Sequence, residues 1–246
     1  MNRYFIEVAY KGTNYAGFQI QQNANSIQAE IEKALKIFFR QDLELTGSSR
    51  TDAGVHALSN YFHVDTNIFP EQNIIDNNIY NLNAILPGDI VIKKIFKVED
   101  DAHCRFDAIS REYKYYTYQN KDPFIAESSY YYPYNLDIAK LQEAAAVLLE
   151  YNDFTTFSKK NTQVKTFICQ LTKSEWAIQG NQFSYNVIGN RFLRGMVRGM
   201  VGTMLNVGTN RASIEDFRKI IEAKDCTLAD FSVPPHALFL VNIRYK

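Results

Sequence analysis

Residues 3–10 alternate in polarity. Tyr4, Ile6 and Val8 fall on one face and Phe5 and Glu7 on the other, which predicts a strand. Gly12, Asn14 and Gly17 break that period. Past Ser26, a suitable N-cap, the repeat lengthens to that of a helix. Ile27, Ile31, Leu35 and Phe38 share one face of the run IQAEIEKALKIFF. A short strand at 43–46, a loop GSSRTDAG, a strand at 57–65 and a helix at 71–84 follow. Leu86-Pro87-Gly88 then turns into a strand at 90–98. The order is β-α-β-β-α-β, the split βαβ arrangement of ferredoxin-like domains.

The second part repeats the order without repeating the sequence. Residues 112–119 form a tyrosine-rich strand. Residues 137–150 read as a helix with Ile138, Leu141, Ala145 and Leu148 inward. Residues 165–178 and 181–188 read as a hairpin turned at Gln179-Gly180-Asn181. Helices at 191–207 and 214–223 and a strand at 237–245 complete it. The expected fold is α+β: two ferredoxin-like, RNA-recognition-like βαββαβ halves, 1–104 and 105–246. They would form a continuous, mostly antiparallel sheet with helices packed on one side and a cleft between the halves. No long Gly, Ser or Pro linker separates them.

Composition adds limits. The 246 residues suffice for one large or two small cores. The chain has 16 Tyr and 17 Phe, a bias toward sheets and rings that stack. Lys and Arg number 27, as do Asp and Glu, so any phosphate-binding surface must be local. Cys104, Cys169 and Cys226 are odd in number and widely spaced, which predicts neither a disulfide framework nor a metal-ligand pair. MNRYFIEVAY lacks the apolar core of a signal peptide, and no run is long enough to span a membrane. A cytoplasmic protein is expected.

The chemistry concentrates in Gly47-Ser48-Ser49-Arg50-Thr51-Asp52-Ala53-Gly54-Val55-His56, which joins two strands. An ionised Asp is a nucleophile, and a guanidinium two residues away favours its charged form. A solvated turn in which Asp52 only accepts from backbone amides fits the same ten residues. His56, His63 and His103 suggest metal hydrolysis, but His56 and His63 lie seven apart on a strand and point to opposite faces. No phosphate loop or dinucleotide fingerprint is present. Neither a metal nor a cofactor is therefore expected. Arg191, Arg194 and Arg198 are spaced by three and four, which puts them on one helical face. Gly195, Gly199 and Gly202 would make a second face for close packing, since three interior glycines need a packing reason.

SSRTDAGVHA resembles the signature loop of the TruA-type tRNA pseudouridine synthases. YKGTNYAGFQIQ with SIQAEIEKAL, LNAILPGDI, HCRFDAISREYKYY, NDFTTF, GNRFLRGMVRGMVGTMLNVG and ALFLVNIRY resemble that family's other segments, in order along nearly the whole chain. The resemblance implies an isomerase that makes pseudouridine in the anticodon stem-loop of tRNA, at tRNA positions 38 to 40, and that acts as a homodimer. It implies Asp52 as nucleophile and Arg50 as the group that helps flip the uridine and fills its place. It implies Tyr113 stacked on the uracil and assisting proton transfer, and Arg198 paired with the aspartate. Ala237-Leu238-Phe239-Leu240 departs from the family's usual Gly-Leu-Tyr-Leu and removes a phenol from the last strand.

Candidates for the RNA surface are Lys11, Arg105, Arg111, Lys114, Lys159, Lys160, Lys165, Arg191 and Arg194. A non-catalytic RNA-binding protein on the same fold has no need of Asp52. An N-glycosidase shares chemistry at C1′ but releases the base.

Overall fold

The computed structural model describes residues 1–69, 72–160 and 164–246. Among the described residues it has nine strands and five helices, an α+β fold whose sheet pairing is mixed and mostly antiparallel, as the sequence suggested. Two compact units are present. One comprises 1–109 with 240–246, the other 110–239. Among the described residues no helix is long and apolar enough to cross a membrane.

In the first unit, β1 (Asn2–Tyr10) lies between β3 (His56–Thr66) and β4 (Ile90–Val98), antiparallel to both. Helix α1 (Ile27–Phe39) starts where Ser26 Oγ accepts from the Ala29 amide and stops where Arg40 turns left-handed at φ 56°. Its buried residues are Ile27, Ile31, Ala34 and Leu35, while Phe38 stays half-exposed. Helix α2 (Gln72–Ile85) matches the expected second helix, although Glu71 lies outside the described residues. The strand expected at 43–46 shrinks to β2 (Thr46–Gly47), paired with β3. The cause is local. The Leu45 amide donates to Glu32 Oε1 at 3.0 Å, and its carbonyl accepts from Gln28 Nε2 at 2.8 Å. Side chains of α1 thus occupy the groups a strand partner would need.

In the second unit, β5 (Ser110–Tyr118) pairs antiparallel with β8 (Gln182–Gly189) and parallel with the short β6 (Tyr130–Tyr131). β7 (Leu171–Gln179) and β8 form the expected hairpin, with Gly180 at φ 59° in its turn. β7 begins at Leu171 rather than 165, because of residues 164–170 only Ile168 makes a bridge, to Asp153. Helix α3 (Ile138–Val147) runs into a 3-10 turn at Leu148–Glu150. Helix α5 (Ile214–Glu222) opens with a capping box between Ser213 and Asp216. The final strand, β9 (Leu238–Arg244), lies beside β3 in the strand order of the first unit.

Helix α4 (Met196–Gly208) corrects a second expectation. It starts five residues later than the spacing suggested, because Gly195 sits left-handed at φ 75° and caps it. Arg191 and Arg194 therefore precede the helix and do not share a helical face with Arg198. Gly195 likewise leaves the packing face. Gly199 and Gly202 remain on it. A Cβ on Gly199 would lie 2.7 Å from the Phe231 ring, and one on Gly202 would lie 2.2 Å from the Asp230 carbonyl oxygen. Backbone cannot yield as a side chain does. Gly202→Ala should therefore destabilise the protein by about 1–3 kcal/mol. A thermal melt with the wild-type midpoint would refute that packing argument.

Candidate active site

The loop between β2 and β3 is pinned on both flanks. The Ser48 amide donates to the Tyr61 carbonyl at 2.8 Å, and the Ser48 hydroxyl lies 3.0 Å from that of Tyr245. The Thr51 carbonyl accepts from the Phe18 amide at 3.2 Å, and the Thr51 hydroxyl bonds that of Tyr10 at 2.8 Å. Beyond Asp52 the chain turns. The Val55 amide donates to the Asp52 carbonyl at 3.2 Å, with Gly54 at φ 78° inside the turn. His56 then accepts the Gly12 amide on Nδ1 at 3.0 Å. Ser48, Ser49, Thr51, Val55 and His56 are buried, Asp52 is half-buried and Arg50 is exposed. The geometry is a half-buried carboxylate on a bonded backbone, two residues after the exposed Arg50.

The turn after β1 is the loop's counterpart. A Cβ on Gly12 would lie 2.0 Å from the Val55 carbonyl oxygen, so only glycine lets these backbones meet. The turn is in turn latched to the end of the Pro87-Gly88 loop. The Lys11 amide donates to the Asp89 carbonyl at 2.9 Å, and the Tyr15 hydroxyl donates to Asp89 Oδ1 at 2.6 Å. Burial first, then this bond, raise the Tyr15 phenol well above its usual range, so it stays a donor.

In the second unit, Tyr113 stands on β5 opposite Val187, with its ring edge-on to Phe192 at 5.0 Å. Tyr115, two residues on, is wholly buried and donates to the Pro234 carbonyl at 2.8 Å. It is core. Arg198 donates from Nε to the Val233 carbonyl at 2.8 Å and from Nη2 to Phe231 at 3.1 Å. These bonds hold its guanidinium in one orientation against residues 231–233.

The proposed phosphate contacts fall into groups. The Lys159 amide donates to the Arg194 carbonyl at 3.0 Å, and the Lys159 stem packs over Gly195. Lys159 and Arg191 are half-exposed, and Lys160, Lys165 and Arg194 are exposed. Lys159, Lys160, Arg194 and the start of α4 thus meet at one corner. Lys114 is half-exposed on β5. Arg111 is buried, with Nη1 donating to the Asn190 carbonyl at 2.9 Å. Lys11 and Arg105 are exposed and belong to the first unit. The Arg105 guanidinium lies 5.8 Å from the Phe106 ring centre.

One gathering escaped sequence reasoning, which treated the histidines and cysteines apart. His63, His103 and Cys104 bring their donor atoms within 4.8 Å of one another. Cys104 Sγ lies 3.2 Å from His63 Nδ1 and 3.2 Å from the Thr46 carbonyl. His103 Nδ1 accepts the Arg105 amide at 3.1 Å, which puts the proton of a neutral ring on Nε2. The Nδ1 lone pair of His103 is then engaged and its Nε2 carries the proton, while His63 and Cys104 are joined to one another by a hydrogen bond and the His103 ring lies edge-on to that of His63 at 4.6 Å.

The family profile described as tRNA pseudouridine synthase matches residues 6–107 and 144–246. The chain is 46% identical over 246 residues to the tRNA pseudouridine synthase A of Azobacteroides pseudotrichonymphae, covering 100% of this chain and 97% of that one. It is 47% identical to that of Bacteroides fragilis, covering 100% and 97%, and 37% identical to that of Staphylococcus aureus strain Newman, covering 98% and 90%.

The His63 cluster carries a pH signature. Burial, then His103 and Arg3, push the His63 imidazole down to about 4 against the opposing pull of Asp65 and Asp107. A base with a folded pKa below its unfolded value contributes stability that is whole above about 6.5 and lost as pH falls toward 4. Thermal midpoints should therefore fall across that window, and His63→Gln should flatten the fall. Equal slopes for the two proteins would exclude His63 as the source.

Proposed function

The chain belongs to the tRNA pseudouridine synthase family, and from that premise we propose that it isomerises uridine in the anticodon stem-loop of tRNA, at tRNA positions 38 to 40, with Asp52 as the nucleophile. The protein is an isomerase that makes pseudouridine in tRNA. The C1′–N1 bond breaks, the uracil rotates, and a C1′–C5 bond forms. The C5 proton leaves and N1 gains one, so composition and oxidation state are unchanged. Whether the carboxylate attacks C1′ or takes a proton from C2′, it must be ionised and held at the sugar. The observation that carries the reading is the loop: a half-buried Asp52 on a backbone bonded at Ser48, Thr51 and Val55, with the His56 ring accepting the Gly12 amide.

The other roles follow from the resemblance of their segments. Arg50, exposed beside Asp52, takes the place of the extruded base. Tyr113 stacks on the freed uracil and assists removal of the C5 proton. Arg198, its guanidinium oriented by two carbonyls, is the cation that keeps the Asp52 carboxylate charged. Lys159, Lys160, Arg191 and Arg194 meet the RNA backbone in the second unit, and Lys11 and Arg105 do so in the first. The protein works in the cytoplasm as a homodimer.

With C5-tritiated uridine in a tRNA transcript, Asp52→Asn should keep its affinity for tRNA and release no tritium. Its rate should fall by roughly 10³-fold or more, as on loss of a nucleophile. Substantial tritium release would sink the assignment. Arg198→Met should lower turnover more than affinity. Lys159→Glu with Lys160→Glu should do the reverse and reduce the salt dependence of binding by about one charge per phosphate contact. The opposite ordering in gel-shift and turnover measurements would refute this division of roles.

A further inference from the structure

Two buried polar side chains, Asn60 and Tyr10, are linked by hydrogen bonds to Thr51 of the Asp52 loop. Asn60 on β3 is wholly buried, Tyr10 at the end of β1 is 5% exposed, and Thr51 is 7% exposed. Asn60 Nδ2 donates to the Tyr10 hydroxyl at 3.1 Å, and that hydroxyl shares a hydrogen bond with Thr51 Oγ1 at 2.8 Å. Asn60 is itself fixed, since its Oδ1 accepts the Tyr61 amide at 2.9 Å. The Tyr10 ring stacks on Phe18 at 5.8 Å, which stacks on Phe62 at 4.4 Å. Phe18 also donates its amide to the Thr51 carbonyl.

Packing alone does not explain this arrangement. A phenylalanine at position 10 would fill the same space against Phe18. Burying a phenol, an amide and a hydroxyl costs free energy that hydrogen bonds only balance. The bonds have a geometric effect, however. Thr51 is held by both its carbonyl and its side chain, which narrows the range open to its backbone. Asp52 is the next residue, so its direction of departure is narrowed with it.

We propose that Tyr10 is a positioning residue for pseudouridine formation: through its buried bond to Thr51, and with Asn60 fixing it from behind, it aims the Asp52 carboxylate. The proposal rests on Asp52 being the nucleophile. A reacting atom displaced by about 1 Å can lose 10²-fold in rate while substrate affinity is untouched. Tyr10 therefore acts on turnover and not on binding.

The experiment is a double-mutant cycle on the full chain, with Asp52→Asn run beside it. Tyr10→Phe and Thr51→Val each remove one hydroxyl and keep the shape. Single-turnover tritium release at saturating enzyme gives the rate, filter binding gives the Kd for tRNA, and a melt at the assay temperature shows that each variant is folded. Each single variant should lose about 10- to 100-fold in rate, with Kd within about twofold of wild type. The double variant should be no slower than the slower single one, because both remove the same bond. Thr51→Ser, which restores a hydroxyl, should recover most of the rate lost in Thr51→Val. If Tyr10→Phe is unfolded, Thr51→Val and its rescue carry the test. Single variants with wild-type rates beside an inactive Asp52→Asn would overturn the positioning role and leave the nucleophile standing. So would losses that multiply in the double variant, or losses confined to Kd. An active Asp52→Asn would remove the nucleophile and, with it, the role of Tyr10.

Discussion

The close approach of two backbone segments is the constraint on which the first unit's chemistry depends. The turn after β1 meets the 51–56 loop at a distance only glycine permits, with Gly12 under Val55 and Gly17, at φ 121°, beside Thr51. A nucleophile on a surface loop would otherwise sample many directions, each lost on reaction. Here the loop's amides and carbonyls bond to Tyr15, Phe18 and Tyr61 in place of water. The half-exposed carboxylate is thus a mobile-looking group on an immobile frame.

The second unit applies the same device to a cation. Gly199 and Gly202 let residues 230–231 lie against α4. The Asp230 amide donates to Thr203 Oγ1 at 3.0 Å, and Arg198 bonds the carbonyls of Phe231 and Val233. Helix α4 is buried along nearly its whole length, and Arg198 is its one charged residue. A guanidinium with two fixed donors has little freedom left, so its remaining face is pre-aimed. In both units, glycine-mediated backbone contact places a charged side chain that packing alone would leave loose.

Much of this was legible in the residues. Alternation located β1, the 3.6 period with the Ser26 cap located α1, and an inward apolar face located α3. The errors share one physical origin. Leu43 and Leu45 carry the apolar pattern of a strand, but Gln28 and Glu32 take the backbone groups of Leu45. The arginine spacing around residue 194 suits a helix, but Gly195 adopts a left-handed conformation and α4 starts only after it. Local periodicity reports which side is buried and says nothing of where hydrogen bonds go. The candidate site divides in the same way. Asp52 and Arg50 stand out because charge and glycine cluster within one loop. The bonds from Tyr10 to Thr51 and from His63 to Cys104 join residues about forty positions apart, and no short spacing encodes them.

The route of the chain has a consequence for how the protein is made. Residues 240–246 complete the first unit, and the Tyr245 hydroxyl there donates to the Cys104 carbonyl at 2.6 Å and meets Ser48 at the base of the loop. Between that unit's two pieces lies the whole of 110–239. On the ribosome, an emerging first unit has no β9 beside β3 and no phenol behind Ser48 until the second unit has been translated. The earliest segment to leave the exit tunnel is therefore among the last to reach its finished form.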